Sequence, residues 1–270
     1  MKHIAVAAHQ GVVGGGYILG NTLDAFDIAL KDGAEIIELD ATLCADGTVF
    51  TFHPGTEQAH LGIEKNSLGR MTSEEIAPLR RIFPDGHKSP WPLYTLEESL
   101  DHLKNRCLIN VDKSWTCLPD IVKAVRRVGV EDQVIFKSNI RGENWMNELR
   151  AEEEIAPGFK YMPVFYESDI ASETVEKMNI NFYGAEICFK TEDSELASDG
   201  FIEKMHRKGI KLWVNSIVFN YKTVLSAGHN DNVSLLDPAA GWGWLAAKGY
   251  DIIQTDWTLH CRQYLDTLEN

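Results

Sequence analysis

The sequence predicts an α/β protein, a (β/α)₈ barrel with a small insertion after its second strand. Three observations carry this. Short apolar runs alternate with helix-periodic segments almost from end to end, the chain's 270 residues sit close to the ~250 typical of such barrels, and residues able to do chemistry cluster at the carboxyl ends of the first strands. A doubly wound open sheet shows the same alternation, and the eight strand candidates favour the barrel over it.

The strand candidates, in order, are Ile4–Ala8, Ala34–Leu39, Cys107–Val111, Gln133–Phe136, Phe159–Pro163, Phe182–Ile187, Ile210–Val214 and Asp251–Gln254. Each is a four- to six-residue apolar run, as expected of strands buried on both faces. Between the first two, Leu23, Phe26 and Leu30 repeat at helical spacing behind an Asn21 cap and ahead of Gly33. Asp46-Gly47 signals a hairpin that folds Thr48–His53 back antiparallel on the strand bearing Glu38 and Asp40. Residues 54–94 then form a long connection rich in Gly, Pro and charge, the profile of a lid or a substrate-binding excursion within a single domain spanning 1–270. Thr95-Leu96-Glu97-Glu98 opens a helix in the capping-box pattern, and Ile121, Val122, Val125 and Val128 mark another that ends at Gly129. Further helices are expected over Glu143–Glu153, Ser172–Met178, Asp199–Lys208, Pro238–Lys248 and Thr258–Leu265.

A hydrophobic content of 44% and a charged content of 24% are those of an ordinary globular protein. The formal net charge of −14 repels phosphate backbones and argues against a nucleic-acid partner. A phosphorylated small molecule would meet the same repulsion, so it needs a local positive centre, for which a divalent cation is suited. Five cysteines (Cys44, Cys107, Cys117, Cys188, Cys261) form no C-x-x-C pair and no even-numbered framework. A reducing compartment follows, and with no membrane-length apolar run the expectation is a cytoplasmic protein without a membrane span.

Glu38 and Asp40 are one residue apart in a strand, so both side chains point to one face and offer two hard oxygen ligands side by side. Such a pair suits Mg²⁺ or Ca²⁺ better than zinc. His9 and His53 flank it, each at the end of an apolar run, and are candidates for moving protons near neutral pH. Asp112-Lys113 closes the third strand candidate, supplying a third carboxylate and a cation for a phosphate oxygen; an ion pair with a neighbouring acid is an equal reading of Lys113. Any one acid at a strand end is best read as a cap or a solvated charge, but several at the same end of three successive strands are not. Trp115, Tyr166, Glu167, Trp213 and Asn215 also follow strands; most large aromatics there are core, and only Trp213 is carried as a pocket candidate.

The glycine run from Gly11 to Gly20 gives the rival reading, a dinucleotide-binding turn of an NAD-dependent oxidoreductase. Gly14, Gly16 and Gly20 are spaced G-x-G-x-x-x-G, one residue too long for that fingerprint. No G-x-S-x-G elbow and no phosphate-binding G-x-x-x-x-G-K-[ST] loop occurs.

The motifs Ala8-His9-Gln10-Gly11, Asn21-Thr22-Leu23-Asp24-Ala25-Phe26, Gly33 to Asp40, Asp46-Gly47 and Phe52-His53 together resemble the glycerophosphodiester phosphodiesterase family. Echoes continue through Asn110-Val111-Asp112-Lys113, Trp213-Val214-Asn215 and Ile253-Gln254-Thr255-Asp256, so the resemblance spans nearly the whole chain and is most specific in its first sixty residues or so. It implies a TIM barrel and metal-dependent hydrolysis of a small phosphodiester bearing a neighbouring hydroxyl, by way of a cyclic phosphate. Carried over, His9 and His53 become the acid/base pair, Glu38, Asp40 and Asp112 the ligands of one Mg²⁺ or Ca²⁺, and Lys113 a phosphate contact in a register shifted by a residue. The sequence also departs from the family. Gln10 stands where an arginine would contact phosphate, Leu19-Gly20-Asn21-Thr22 replaces P-E-N-T, and Pro54 follows His53 in place of aspartate. Gln10 is carried with Lys113 and Trp213 as a substrate contact, although a neutral glutamine cannot reproduce a bidentate charged clamp. The expectation is a divergent member with an altered substrate or reduced activity; the alternative is a protein that binds phosphodiesters or sugar phosphates without turning them over.

Overall fold

In a computed structural model that describes residues 2–13, 18–140, 144–166, 172–218 and 222–269, eight parallel strands close into a barrel. They are β1 (Ala5–Ala8), β2 (Ile36–Leu43), β4 (Leu108–Asp112), β5 (Val134–Asn139), β6 (Lys160–Tyr166), β8 (Gly184–Cys188), β9 (Lys211–Asn215) and β10 (Ile252–Thr255). Closure is direct: β1 pairs β10 on one side, with Ala5 opposite Ile252, and β2 on the other, with Ala7 opposite Ile36. The expected barrel is therefore the fold, and all eight strand candidates lie in it.

Among the described residues two short strands stand outside the ring: β3 (Val49–Thr51), antiparallel to β2 with Ala41 opposite Thr51, and β7 (Asn181–Phe182), beside β6. The hairpin expected at Asp46-Gly47 is the β2–β3 turn, with Gly47 at φ +87°, and β2 runs past its expected end to Leu43. Residues beyond it carry α2 (Glu57–Leu61) and α3 (Ser73–Ile76), which gather Leu61, Leu68, Ile76 and Leu93 over Phe50 and Phe52 as a small core of their own.

Period-two alternation explains how the strands divide their side chains. Ile36, Ile135, Met162, Trp213 and Ile252 point inward and fill the lower barrel. Ile37, Leu39, Ile109, Val111 and Phe136 point outward and are buried under α1 (Leu23–Lys31), α4 (Leu96–Leu103) and α5 (Leu118–Val128). A second outward layer sits under α8 (Asp199–Arg207), α10 (Trp244–Lys248) and α11 (Thr258–Glu269). Full burial of a side chain such as Phe136 is worth about 1.5–3 kcal/mol, and this layered repetition holds the barrel rigid beneath its mouth.

Local chemistry sets the helix ends. The N-cap of α1 is Thr22 rather than the expected Asn21: its hydroxyl accepts from Ala25 N at 3.2 Å, and Asn21 is drawn off to Asp40. Thr95 and Glu98 form the full capping box at α4, and Gly129 at φ +75° ends α5. The helix expected from Glu143 is α6 (Trp145–Ile155), Glu143 itself lying outside the described residues, and the one expected over Ser172–Met178 is the shorter α7 (Ser172–Glu176). The stretch expected as one helix over 238–248 is a π-helical turn, Ala239–Gly243, leading into α10; it follows α9 (Asp231–Leu236), which the sequence reading did not anticipate. No described helix is long and apolar enough to cross a membrane.

Candidate metal and phosphate-ester site

Continuing the inward alternation above Ile36, Leu108 and Ile135 brings the next residues of each strand to the carboxyl-end mouth. Glu38 and Asp40 come from β2, Asp112 from β4, Lys137 from β5, Glu186 from β8 and Asn215 from β9. Register aligns them: Glu38 lies opposite Asn110 and Asp40 opposite Asp112. They surround a cavity of about 350 Å³, which His9, His53 and Lys113 also line.

Glu38, Asp40 and Asp112 each offer a carboxylate oxygen within 4.8 Å of the others, the two from β2 being almost fully buried. Neighbours hold one oxygen of each by a hydrogen bond. Glu38 Oε2 accepts from Gln10 N at 2.9 Å. Asp40 Oδ2 accepts from Gln10 Nε2 at 2.8 Å and Asn21 Nδ2 at 2.9 Å, and Asp40 N donates back to Asn21 Oδ1. Asp112 Oδ2 accepts from Lys113. Such outer-sphere fastening is how ligating carboxylates are aimed at a cation. Backbone geometry makes the fastening local, since Gln10 (φ +53°) and Asn21 (φ +56°) both take the left-handed conformation and Asn21 N donates to Gln10 O at 2.7 Å.

Electrostatics show the crowding. Burial first, and then the charge of Asp40, push the Glu38 carboxyl well above the ordinary range, with His9 opposing. Asp112 moves the other way: burial acts to raise it, but the charges of Lys113 and Lys137 outweigh burial. Three closely set hard oxygens in a buried pocket fit a divalent cation of the Mg²⁺ or Ca²⁺ type, which would relieve the repulsion that raises Glu38.

The imidazoles differ in their partners. His9 Nδ1 lies 2.8 Å from Asp256 Oδ1. Burial acts to lower its pKa, but the Asp256 hydrogen bond and the charges of Glu38, Asp256 and Asp40 prevail and raise it to about 9. Asp256 is itself fixed by Asp231, whose Oδ2 accepts from Asp256 N at 2.8 Å while its Oδ1 accepts from Ser216, Thr255 and Trp242. His53 Nδ1 lies 3.0 Å from Pro54 O, so this nitrogen carries the proton, and Nε2 faces Asp40 Oδ1 at 3.9 Å.

The structure thus gathers His9, His53, Glu38, Asp40, Asp112 and Lys113 around one cavity. Lys113 is paired with Asp112 and lies 3.7 Å from Asp40 Oδ1, the ion-pair reading of it, at a place where it also lines the cavity. Two expectations are corrected. Gln10, expected to meet substrate, donates its amide to Asp40 and is not among the residues lining the cavity. Trp213, expected in the pocket, lies fully buried below it, its Nε1 donating to Gln254 Oε1 at 3.1 Å, because its place in β9 belongs to the apolar layer one step down. Gly14 and Gly16 of the glycine run, and Glu167, lie outside the described residues.

Sequence reasoning missed Asp256, Asp231, Lys137 and Glu186. Asp256 follows β10 directly, and the strand-end rule that selected His9 would have found it. Lys137 sits two residues after inward Ile135 and directly follows the candidate strand Gln133–Phe136, so the same strand-end rule would have found it. Nothing local marks Asp231.

The fold has known counterparts. A glycerophosphoryl diester phosphodiesterase from Parabacteroides distasonis superimposes with a TM-score of 0.76 at 18% identity, over 98% of this chain and 87% of that one. The Thermotoga maritima glycerophosphodiester phosphodiesterase gives 0.68 at 22% identity, over 98% and 99%. An Oleispira antarctica phosphodiesterase, solved with its product sn-glycerol-3-phosphate, gives 0.68 at 15% identity, over 97% and 96%. Residues 161–265 match a domain of unknown function, DUF4996. No curated protein sequence matches the chain.

Proposed function

We propose that the chain is a divergent member of the glycerophosphodiester phosphodiesterase family, a phosphoric diester hydrolase that uses one Mg²⁺ or Ca²⁺ and two histidines on a small, glycerophosphodiester-like substrate. The observation that carries this is the convergence of three carboxylate oxygens within 4.8 Å of one another in a cavity that both His9 and His53 line. The shared fold of the phosphodiesterases, one of them holding sn-glycerol-3-phosphate, supports the substrate class.

Glu38, Asp40 and Asp112 would hold the cation through the oxygens that Gln10, Asn21 and Lys113 leave available. When bound, the cation supplies charge neutralisation of a non-bridging phosphate oxygen. The histidines divide the proton work by their partners. His53 keeps its proton on Nδ1, against Pro54 O, and presents the Nε2 lone pair to the substrate hydroxyl beside the phosphate. That hydroxyl loses its proton to Nε2, its oxygen forms the new P–O bond, and the bond to the departing alkoxide breaks. His9, kept protonated by the Asp256 carboxylate, donates from Nε2 to the alkoxide. Water then opens the cyclic phosphate with the two roles exchanged. Holding the hydroxyl next to phosphorus makes the first step intramolecular, a large advantage.

A second reading, phosphodiester or sugar-phosphate binding without turnover, is favoured by Gln10, which occupies the family arginine's place and gives its amide to Asp40. Assaying bis(p-nitrophenyl) phosphate and glycerophosphodiesters with added Mg²⁺ or Ca²⁺ separates the two. The hydrolase reading expects turnover that chelation abolishes and that His9→Ala reduces by about 10²- to 10⁴-fold. Ligand-induced thermal stabilisation with no product under any cation would establish the binding reading instead.

A further inference from the structure

We propose that Lys137 is the residue that binds the substrate's phosphoryl oxygen, so that the diester is held between its ammonium and the carboxylate triad; this rests on the phosphodiester reading of the site. Lys137 reaches the cavity from β5, one place beyond the Val111–Phe136 register pair and therefore beside Asp112. It is only 3% exposed.

Its surroundings hold it in place and leave it unsaturated. The ammonium forms an ion pair with Glu186, and Glu186 Oε1 is locked by Asn215 Nδ2 at 2.7 Å. The Trp213 ring lies 4.5 Å from Nζ and supports the cation from below. An ammonium carries three N–H donors. Glu186 is its one ion-pair partner among the described residues, so donors remain for an acceptor that enters the cavity. A buried donor without a partner is costly, and a phosphoryl oxygen is a strong acceptor for it.

The other candidates for this role are already engaged. Lys113 is bonded to Asp112 and sits 3.7 Å from Asp40 Oδ1, on the triad's own side. Gln10 is neutral and tied to Asp40. A purely structural Lys137–Glu186 pair is the competing account. Buried ion pairs seldom stabilise relative to apolar residues, however, and one layer lower the barrel is filled by Ile36, Ile135, Met162 and Ile252. The ion pair occurs where the barrel interior opens into the cavity.

The test compares wild type with Lys137→Met, Lys137→Arg and the double variant Lys137→Met/Glu186→Gln, which removes both charges together. Inhibition of diester turnover by inorganic phosphate, KM and kcat separately, and the melting temperature are measured. Loss of one charge-assisted hydrogen bond predicts that phosphate inhibition weakens about 10- to 150-fold in Lys137→Met, with partial recovery in Lys137→Arg. The double variant melts close to wild type yet stays as weak toward phosphate as Lys137→Met. Phosphate inhibition restored to wild-type strength in the double variant overturns the assignment and makes the pair structural. If wild type turns over no diester, the hydrolase reading fails separately, and Lys137 is judged by protection of the protein from melting by phosphate. That protection is lost in Lys137→Met if the assignment holds and kept if it does not.

Discussion

Replacing Asp256 with Asn keeps the shape of the His9 partner and removes its charge, which isolates what the carboxylate does. In the structure Asp256 Oδ1 lies 2.8 Å from His9 Nδ1, and its hydrogen bond is the first of the influences that raise His9 from 6.5 to about 9 against the opposing effect of burial. A shift of that size corresponds to roughly 3 kcal/mol in favour of the imidazolium, shared among Asp256, Glu38 and Asp40. With a cation neutralising Glu38 and Asp40, Asp256 is what remains, worth on the order of 1.5–3 kcal/mol as a hydrogen bond to a charged group. Asp256→Asn should therefore lower kcat/KM about 10- to 150-fold and move the basic limb of the pH–rate profile to lower pH by about one unit or more. The limb is basic because His9 must be protonated to donate to the leaving alkoxide. The same group marks stability in chelated protein. A histidine whose folded pKa is raised contributes stability that is fully present below pH 6.5 and is lost as pH rises through about 9. Melting followed across that window in EDTA should fall for wild type and run flatter for Asp256→Asn. Unchanged kcat/KM together with an unmoved basic limb would refute the acid role of His9.

Three further outcomes are expected. Gln10→Ala, which removes the donor to Asp40 and leaves the ligands in place, should weaken divalent-cation affinity by about 10- to 100-fold, read by calorimetric titration; an unchanged affinity would mean that Gln10 does not aim the carboxylate. Buried Glu152 is pushed up to about 8 by desolvation, so between pH 4.5 and 8 the folded chain keeps a proton that the unfolded chain releases, and stability falls as pH rises through that window. Glu152→Gln should flatten that dependence and melt higher than wild type at pH 8, and a melting curve with the original pH slope would contradict it. Thr95→Ala breaks the capping box at α4 and should cost about 1 kcal/mol by urea unfolding, with no effect on metal affinity, because the cap is far in sequence from the ligands and serves only the helix start.

The barrel was legible because strands buried on both faces write themselves as short apolar runs, and helix caps and glycines punctuate the rest. The carboxylate triad was legible for a related reason: Glu38 and Asp40 share a face by strand geometry, and Asp112 ends the next barrel strand. What escaped depends on closure of the ring. Lys137 directly follows its strand candidate, but its side chain is placed inward beside Asp112 only once β5 stands between β4 and β6. Trp213 is the converse. It stands in a strand next to real cavity residues, yet one pleat lower, where the interior is apolar. Gln10 and Asn21 were read as a lost clamp and a helix cap, whereas their left-handed backbones turn both amides onto Asp40, a contact that no local pattern displays. Asp231 lies 25 residues before the Asp256 amide that it holds, a pairing that only the tertiary fold creates.

A crystal soaked in Mn²⁺ and measured at a wavelength that reveals manganese by anomalous scattering tests the central claim most directly. One strong peak coordinated by Glu38, Asp40 and Asp112, with His9 and His53 on the cavity side, is the expected result. A site formed elsewhere, with these three carboxylates left without metal at saturating cation, would contradict the account.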